Sequence, residues 1–207
     1  MDAQLTIRSR REDRRELPLL MWRFGEPVRA VASSPHGGGL GVRRWVVNAQ
    51  VPPSYSRRDT NHHLGRLAVS LGLRGRGVGM VTAADVRAYV ATTDGDVGVY
   101  ATVGLTEPIL AAAPDEGVAG VGTINVLVLV PTRLSDAALV NAVGTVTEAK
   151  AQALRDLGLD ATGTATDAVA VLCPDAGPSA SFGGPRSVWG ARIARAVHAA
   201  VLDGGRP

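Results

Sequence analysis

The chain of 207 residues has little cysteine, lysine or aromatic content, and it has no long apolar run. Its single cysteine, Cys173, excludes an internal disulfide and a cysteine-rich zinc site. Apolar runs such as residues 126–130 have the size of a strand, far from the roughly 20 residues that span a bilayer as a helix. The first residues contain no apolar segment typical of a secretory signal, so we expect a cytoplasmic protein.

Positive charge is carried almost entirely by arginine. The formal net charge is +3, and Lys150 is the one basic residue among the 22 that is not arginine. Arginines crowd the first fifteen positions, but acidic residues are interleaved with them. A nucleic-acid surface needs a longer stripe of one sign with aromatic platforms, and the chain has only two Phe, three Trp and three Tyr. We therefore expect no nucleic-acid or membrane partner, and we leave a homodimer open.

The apolar pattern predicts an α+β fold with α/β-like layers, in which about three main helices pack on a mixed, largely antiparallel sheet. Short connections in the first fifty residues favour antiparallel neighbours. With no repeat or linker, a single domain over 1–207 is expected, with residues 1–25 as an Arg-rich extension or edge strand and 26–207 as the core. The predicted strands are 17–24, 28–33, 43–51, 77–81, 86–92, 97–103, 126–130 and 168–172, and the predicted helices are 59–71, 135–158 and the segment after Ser187.

Lys150 lies in the middle of the apolar face of the second predicted helix. At about 100° per residue, Leu139 and Val146 fall within roughly 40° of it, whereas Thr145 and Glu148 lie on the far side. A lysine there extends its amine out of the core, pairs with a buried carboxylate, or serves as a partly desolvated base or oxyanion partner. Because arginine cannot give up its proton, a lone lysine in an arginine-rich chain favours the functional interpretation.

Two polar segments precede the apolar strands 126–130 and 168–172. They are Gly122-Thr123-Ile124-Asn125 and Thr162-Gly163-Thr164-Ala165-Thr166-Asp167. Glycine lets a ligand approach the backbone, and Thr, Asn and Asp supply short-range donors and acceptors. The same residue types are also ordinary in turns. Their recurrence at strand edges predicts a shared site about as strongly as it predicts turn chemistry.

The histidines form no metal-binding pattern. His62 and His63 are adjacent, so on a helix their rings diverge and cannot hold one metal ion. Ser34 and His36 could form a nucleophilic pair, but their spacing is not that of a nucleophile elbow. The lone lysine lies outside any phosphate-binding loop motif, which argues against a P-loop kinase. We therefore expect no metal site.

Several short motifs follow one another from about residue 28 to the end of the chain. They are Ser34-Pro35-His36-Gly37-Gly38-Gly39-Leu40, Asn48-Ala49-Gln50-Val51-Pro52, Gly77-Val78-Gly79-Met80-Val81-Thr82-Ala83-Ala84, Gly122-Thr123-Ile124-Asn125, Thr147-Glu148-Ala149-Lys150 with Ala153-Leu154, and Ala161-Thr162-Gly163-Thr164-Ala165-Thr166-Asp167. In this order and spacing they resemble the adenosylcobinamide amidohydrolase (CbiZ) family. The first 25 residues lie outside the resemblance.

The resemblance implies cleavage of the aminopropanol amide of adenosylcobinamide, leaving adenosylcobyric acid in a salvage route to coenzyme B12. Cobalt would then belong to the corrinoid substrate, and the protein would require no cofactor of its own. The absence of a P-loop motif agrees with this activity, because the competing salvage route begins with a nucleotide-dependent kinase. Two alternatives stay open: a non-catalytic corrinoid-binding or carrier protein, and a related amidase with a different substrate.

Amide hydrolysis needs an activated water or nucleophile, a stabiliser for the oxyanion and a proton for the leaving amine. We hypothesise that Glu148 and Lys150 form the acid–base pair, although the helical periodicity places them on opposite faces of the second predicted helix. A covalent route through Ser34 or a threonine stays open. The other predicted catalytic residues are polar side chains at strand edges: Thr123, Asn125 and Asp167. Residues expected to bind the substrate lie in the same motifs: Ser34, His36, Gly38, Asn48, Thr82, Thr162 and Thr164.

Overall fold

One mixed sheet with three helices organises the chain in the computed structural model, which describes residues 1–114 and 122–206. The strands are β1 (Ala3–Glu12), β2 (Arg15–Ala32), β3 (Gly39–Gln50), β4 (Gly77–Thr82), β5 (Val90–Asp94), β6 (Val97–Gly104), β7 (Thr123–Leu129), β8 (Arg133–Leu134), β9 (Ala168–Pro174) and β10 (Ser179–Ala180). The helices are α1 (Thr60–Ser70), α2 (Asp136–Asp156) and α3 (Val188–Gly204). None of these helices is both long enough and apolar enough to cross a membrane.

The strand order is β4-β3-β2-β9-β7-β6-β5, with β1 paired to β2, while β8 and β10 form a separate small sheet. In the main sheet the β3–β4 and β7–β9 pairs are parallel, and the other pairs are antiparallel. The predicted α+β class and the largely antiparallel sheet are therefore confirmed. The predicted serine caps are confirmed as well, since Ser135 accepts from the N–H of Ala138 and Ser187 from that of Gly190.

Strand β2 runs without interruption through residues 25–27, where we predicted a break between two strands. Residues 25–27 separate the two predicted strands 17–24 and 28–33, yet both strands belong to β2. Its two halves pair with β3, and the register shifts between Arg23 and Val28. Because both halves keep the same partner, the register shift is a β-bulge or similar irregularity within one strand, and the prediction of two separate strands was wrong.

The predicted strand 86–92 was also partly wrong. Its first residues, Val86–Ala88, form one turn of 3-10 helix, and the strand begins at Val90. The carboxylate of Asp85 accepts a hydrogen bond from the N–H of Arg87 at 3.0 Å, which fixes the turn. The apolar pattern of this segment resembles a strand because Val86 is buried.

The central strands place alternate side chains in two apolar layers. Val126 and Val128 of β7 pack beneath α2 and α3. Leu127, between them, faces an inner layer that contains Trp22 and Met80 from the other half of the sheet. The sheet is therefore folded over on itself, and β4 comes into contact with β7. This places the carboxyl end of β4 near the amino end of β7.

The Arg-rich N-terminus forms an edge hairpin with side-chain anchors. Asp13 and Arg14 adopt φ angles of 48° and 63° at the two-residue turn. The Nε of Arg10 donates to Glu12 at 3.0 Å, and Glu12 lies 2.8 Å from Nε2 of His63 on α1. The hairpin is thereby fastened to the first helix.

His63 is buried at this junction. Its Nδ1 lies 2.9 Å from the hydroxyl of Tyr55. Burial lowers the pKa of His63, and this effect exceeds the opposing influence of Glu12; Arg57, Arg10 and Arg66 lower the pKa further. A neutral ring satisfies both contacts, because Nε2–H donates to Glu12 and Nδ1 accepts from Tyr55.

We expect the free energy of unfolding to fall as the pH drops below about 6.5, because the unfolded chain then binds a proton that folded His63 does not. His63 contributes a slope of at most about 1.4 kcal/mol per pH unit. Urea unfolding of a His63→Gln variant between pH 7 and 5 should show a shallower slope, whereas the exposed neighbour His62→Gln should leave the slope unchanged. Equal slopes in the parent and in His63→Gln would contradict this assignment.

Candidate active site

The carboxylate of Asp167 is the centre of the candidate site. It lies directly before β9, and its Oδ1 accepts from the N–H of Ile124 at 2.8 Å. Its Oδ2 accepts from the N–H of Thr164 at 3.1 Å and forms an ion pair with Nζ of Lys150. The side chains of Lys150 and Asp167 are 9% and 12% exposed. Because both groups are largely removed from water, each charge needs the other to offset its lost hydration.

Threonine hydroxyls connect this carboxylate to the start of β7. The Oγ1 of Thr164 lies 2.6 Å from Oδ1 of Asp167 and 2.7 Å from the carbonyl oxygen of Gly122. Its one proton can be donated to only one of these acceptors at a time. Thr166 donates to the same carbonyl at 2.8 Å, and its Oγ1 lies 2.7 Å from that of Thr123. Three threonines thus hold the amino ends of β7 and β9 together.

A groove of about 620 Å³ opens beside the ion pair. One wall is α2, and the other is the segment 162–165, which is bonded to Ile109. Glu148 is exposed on the helical wall, and no other described residue bonds its carboxylate. Lys150 reaches the groove from the adjoining buried face of α2. The groove brings together four of the predicted site residues: Glu148, Lys150, Thr162 and Thr164.

Gly163 contributes to the site, although the sequence did not single it out from its motif. Its Cα lies so close to the ion pair that a Cβ would overlap both Nζ of Lys150 and Oδ2 of Asp167. Only glycine therefore leaves room for this pair beside the chain. The sequence signal that could have identified Gly163 is its position between two threonines, shortly before a buried strand. Thr166 lies in the same motif and was likewise not predicted as a site residue.

Asn48, Asn125 and Thr82 lie inside the folded sheet and do not line the groove. The Nδ2 of Asn125 donates to Oδ1 of Asn48 at 2.8 Å and to the carbonyl of Val81 at 2.9 Å. Asn48 in turn donates to the hydroxyl of Thr102 at 3.0 Å. Thr82 is buried, and its hydroxyl accepts a main-chain N–H. These bonds tie β3 and β4 to β6 and β7, so they fix the position at which β7 begins.

Ser34, His36 and Gly38 lie in the loop between β2 and β3. The hydroxyl of Ser34 donates to the main-chain carbonyl of His36 at 2.9 Å, so the two side chains form no nucleophilic pair. The buried guanidinium of Arg43 donates to the carbonyls of Gly37 at 2.7 Å and Gly38 at 3.4 Å. Burial lowers the pKa of Arg43. The loop is thus wrapped around a cation that the sequence did not indicate as part of the site.

This loop begins beside β9, the strand that follows Asp167. The N–H of Ser33 donates to the carbonyl of Val169 at 2.9 Å, and the hydroxyl of Ser33 accepts from the N–H of Val169 at 3.0 Å. Val169 is two residues beyond Asp167. The predicted site residues therefore form three groups, and one of these groups lines the groove.

Within residues 1–114 and 122–206, no three His, Cys, Asp or Glu side chains are grouped so that they could hold a metal ion. Cys173 is buried in the helix-side core, where burial raises the pKa of its thiol. A buried thiol with a raised pKa lacks the thiolate character of a nucleophile. The polar chemistry at the groove therefore comes from carboxylate, ammonium and hydroxyl groups.

A groove lined by a carboxylate, an ammonium and hydroxyls on an α+β fold is typical of a site for small-molecule chemistry. The sequence profile of the adenosylcobinamide amidohydrolase family matches residues 3–206. The chain belongs to this family and is a hydrolase that acts on an amide carbon–nitrogen bond. Because the match starts at residue 3, it includes the Arg-rich segment that we had left outside the resemblance.

Two relatives carry the name of this family. The chain is 29% identical to an adenosylcobinamide amidohydrolase of Methanosarcina mazei over 184 residues, which cover 84% of this chain and 88% of the relative. It is 38% identical to one of Halobacterium salinarum over 115 residues, covering 52% of this chain and 49% of that protein. An uncharacterized protein of Methanocaldococcus jannaschii is 33% identical over 91 residues, or 40% of this chain and 35% of the relative.

The buried ion pair predicts strong energetic coupling. Lys150→Met should cost about 3–5 kcal/mol because it leaves the Asp167 carboxylate without its countercharge. The double variant Lys150→Met/Asp167→Asn should lose less than the sum of the two single losses by about 1–3 kcal/mol. Urea unfolding of all four proteins measures this coupling.

A second cycle on the exposed pair of Arg195 and Asp94 is the matched control. Solvent screens that pair, so we expect a coupling below about 1 kcal/mol there. Additive losses at Lys150 and Asp167 would show that the two charges do not depend on each other.

Proposed function

We propose that this chain hydrolyses the amide that joins aminopropanol to the corrin side chain of adenosylcobinamide. The products are adenosylcobyric acid and aminopropanol, and the reaction belongs to a salvage route for corrinoids. The family and two of the relatives are named for this activity, which supports the substrate. The observation that supports the chemistry is that Glu148 and Lys150 line one groove.

Glu148 acts as the general base. Its carboxylate is free of other described partners and accepts a proton from a water molecule, whose oxygen bonds to the amide carbon. The carbonyl oxygen then carries the negative charge of a tetrahedral intermediate. When the carbon–nitrogen bond breaks, the carboxyl group of Glu148 returns the proton to the leaving amine. One water is consumed, and the acid and the amine are released.

Lys150 stabilises the oxyanion. An ammonium group has three N–H donors, and Asp167 is the one described acceptor for Nζ of Lys150. The remaining donors are available to a carbonyl oxygen in the groove, where partial exclusion of water strengthens the interaction. Asp167 is a positioning residue, because it orients the amine and does not line the groove.

The threonines have supporting roles in this scheme. The single proton of Thr164 is already shared between two acceptors, so Lys150 remains the stronger donor to the substrate. Thr162 lies on the groove wall, where its hydroxyl accepts from the N–H of Ala111 at 2.8 Å and donates to the carbonyl of Ile109 at 3.4 Å, so it fixes the wall to residues 109–111. Thr123 and Asn125 support the start of β7 from within the protein.

Incubation of the purified protein with adenosylcobinamide, followed by mass spectrometry, tests the proposal. We expect cobyric acid with its adenosyl ligand retained, together with free aminopropanol. A carrier protein would bind the corrinoid and return it intact. An amidase with another substrate would leave cobinamide uncut, and either result would overturn the proposal.

Turnover of variants tests the two catalytic roles. Glu148→Gln should lower kcat by about 10²–10⁴-fold, the usual contribution of a general base. The exposed Gln152→Ala, one turn further along α2, is the matched control and should keep the parent rate. The double variant Lys150→Met/Asp167→Asn, which leaves no charge unpaired, should lose about 10²–10³-fold. Rates close to the parent in these folded variants would remove the two residues from the mechanism.

A further inference from the structure

The imidazole of His36 is oriented by two independent contacts. Its Nδ1 lies 2.8 Å from the side-chain oxygen of Asn61 and 3.2 Å from the main-chain carbonyl of the same residue. A main-chain carbonyl can only accept, so Nδ1 carries the proton and Nε2 carries the free lone pair. The ring also stacks on Trp45, with centroids 5.6 Å apart and an interplanar angle of 16°.

The backbone that carries this ring is held as firmly as the ring itself. The N–H of Gly79 in β4 donates to the carbonyl of His36 at 2.9 Å, and the N–H of His36 lies 3.4 Å from the carbonyl of Gly79. Arg43 binds the carbonyls that follow in the loop. The histidine is therefore fixed to the edge of the sheet.

His36 borders a groove of about 590 Å³ formed with α1. No other described residue bonds its Nε2, and this atom is not among the buried unpaired ones. Gly65 lies under the ring edge, where a Cβ would stand 3.4 Å from Cε1. Val69, on the same groove, is 77% exposed. The site thus combines a lone-pair nitrogen with an apolar wall that is open to a ligand.

This arrangement is typical of a metal-ligating histidine, whose second nitrogen donates to an oxygen that fixes the tautomer and the ring orientation. A single imidazole cannot hold a free metal ion, and the described residues supply no group of three ligands. A metal already bound in a macrocycle differs, because its equatorial positions are filled and it needs only one axial ligand. The substrate in the proposed function is a corrinoid of this kind.

We propose that Nε2 of His36 coordinates the cobalt of the corrinoid at its axial position, an inference that rests on the proposed function. Cobinamides carry no nucleotide base of their own to occupy that face. The imidazole lone pair replaces the bound water, which is released, and the oxidation state of cobalt does not change. The loop that carries His36 starts beside β9, the strand that follows Asp167.

Electron paramagnetic resonance of cob(II)inamide mixed with the protein tests the coordination. The unpaired electron of cobalt points along the axial direction, so one bound nitrogen splits each cobalt line into a triplet. We expect triplets with the parent protein and with His62→Gln, which replaces the other histidine of the same groove. His36→Gln should lose the triplets. Circular dichroism checks that the variants are folded.

A second variant keeps the test decisive if His36→Gln does not fold. Asn61→Ala retains the imidazole but removes the side-chain oxygen that orients it, so the corrinoid Kd should rise about 10–100-fold with triplets still present at saturation. Hydrolysis of adenosylcobinamide without triplets in the parent would overturn the coordination and leave the proposed function intact. Triplets lost in His62→Gln and kept in His36→Gln would also overturn it. Absence of both binding and hydrolysis would overturn both proposals.

Discussion

A buried carboxylate is costly unless hydrogen-bond donors surround it, and donors from three elements of the fold reach Asp167. Two main-chain N–H groups, from Ile124 and Thr164, and the ammonium of Lys150 converge on its two oxygens. The donors come from β7, from the loop before β9 and from α2. These hydrogen bonds can form only if the three elements are correctly aligned. The side chain of Asp167 therefore fixes the positions of the groove wall, Lys150 and the start of β7 relative to one another.

Local patterns in the sequence predicted most of the secondary structure and the burial of Lys150. The apolar stripe of α2 and the capping serines depend on residues within a turn or two, so these signals can be read without knowledge of the tertiary contacts. Thr145 shows the limit. Helical periodicity put it on the side opposite Lys150, away from the predicted core, but it is buried and its hydroxyl donates to the carbonyl of Gly183 at 2.8 Å. A distant loop covers that face, and periodicity within the helix carries no information about it.

The candidate site was predicted as a set of residues but not as an arrangement. Lys150 and Asp167 were both named from the sequence, yet their pairing required knowing that β9 lies parallel to β7 beneath α2. Asn48 and Asn125 were also named, and the fold joins them within the protein and away from the groove, because the sheet folds over on itself. Long-range strand order decides both outcomes, and the motifs do not encode it.

The apparent conflict between Glu148 and Lys150 is resolved by the groove, which covers the boundary between two faces of α2. Glu148 lies on the exposed face, and the long lysine stem carries its amine from the buried face to the groove floor. This geometry also explains why the chain uses its one lysine here. The amine contacts Asp167 directly above Gly163, where even a Cβ would not fit. A planar guanidinium is broader than an ammonium. It would donate two parallel N–H bonds to the carboxylate, which leaves fewer donors for a substrate carbonyl. A compact cation with free N–H groups satisfies both the buried acid and the groove.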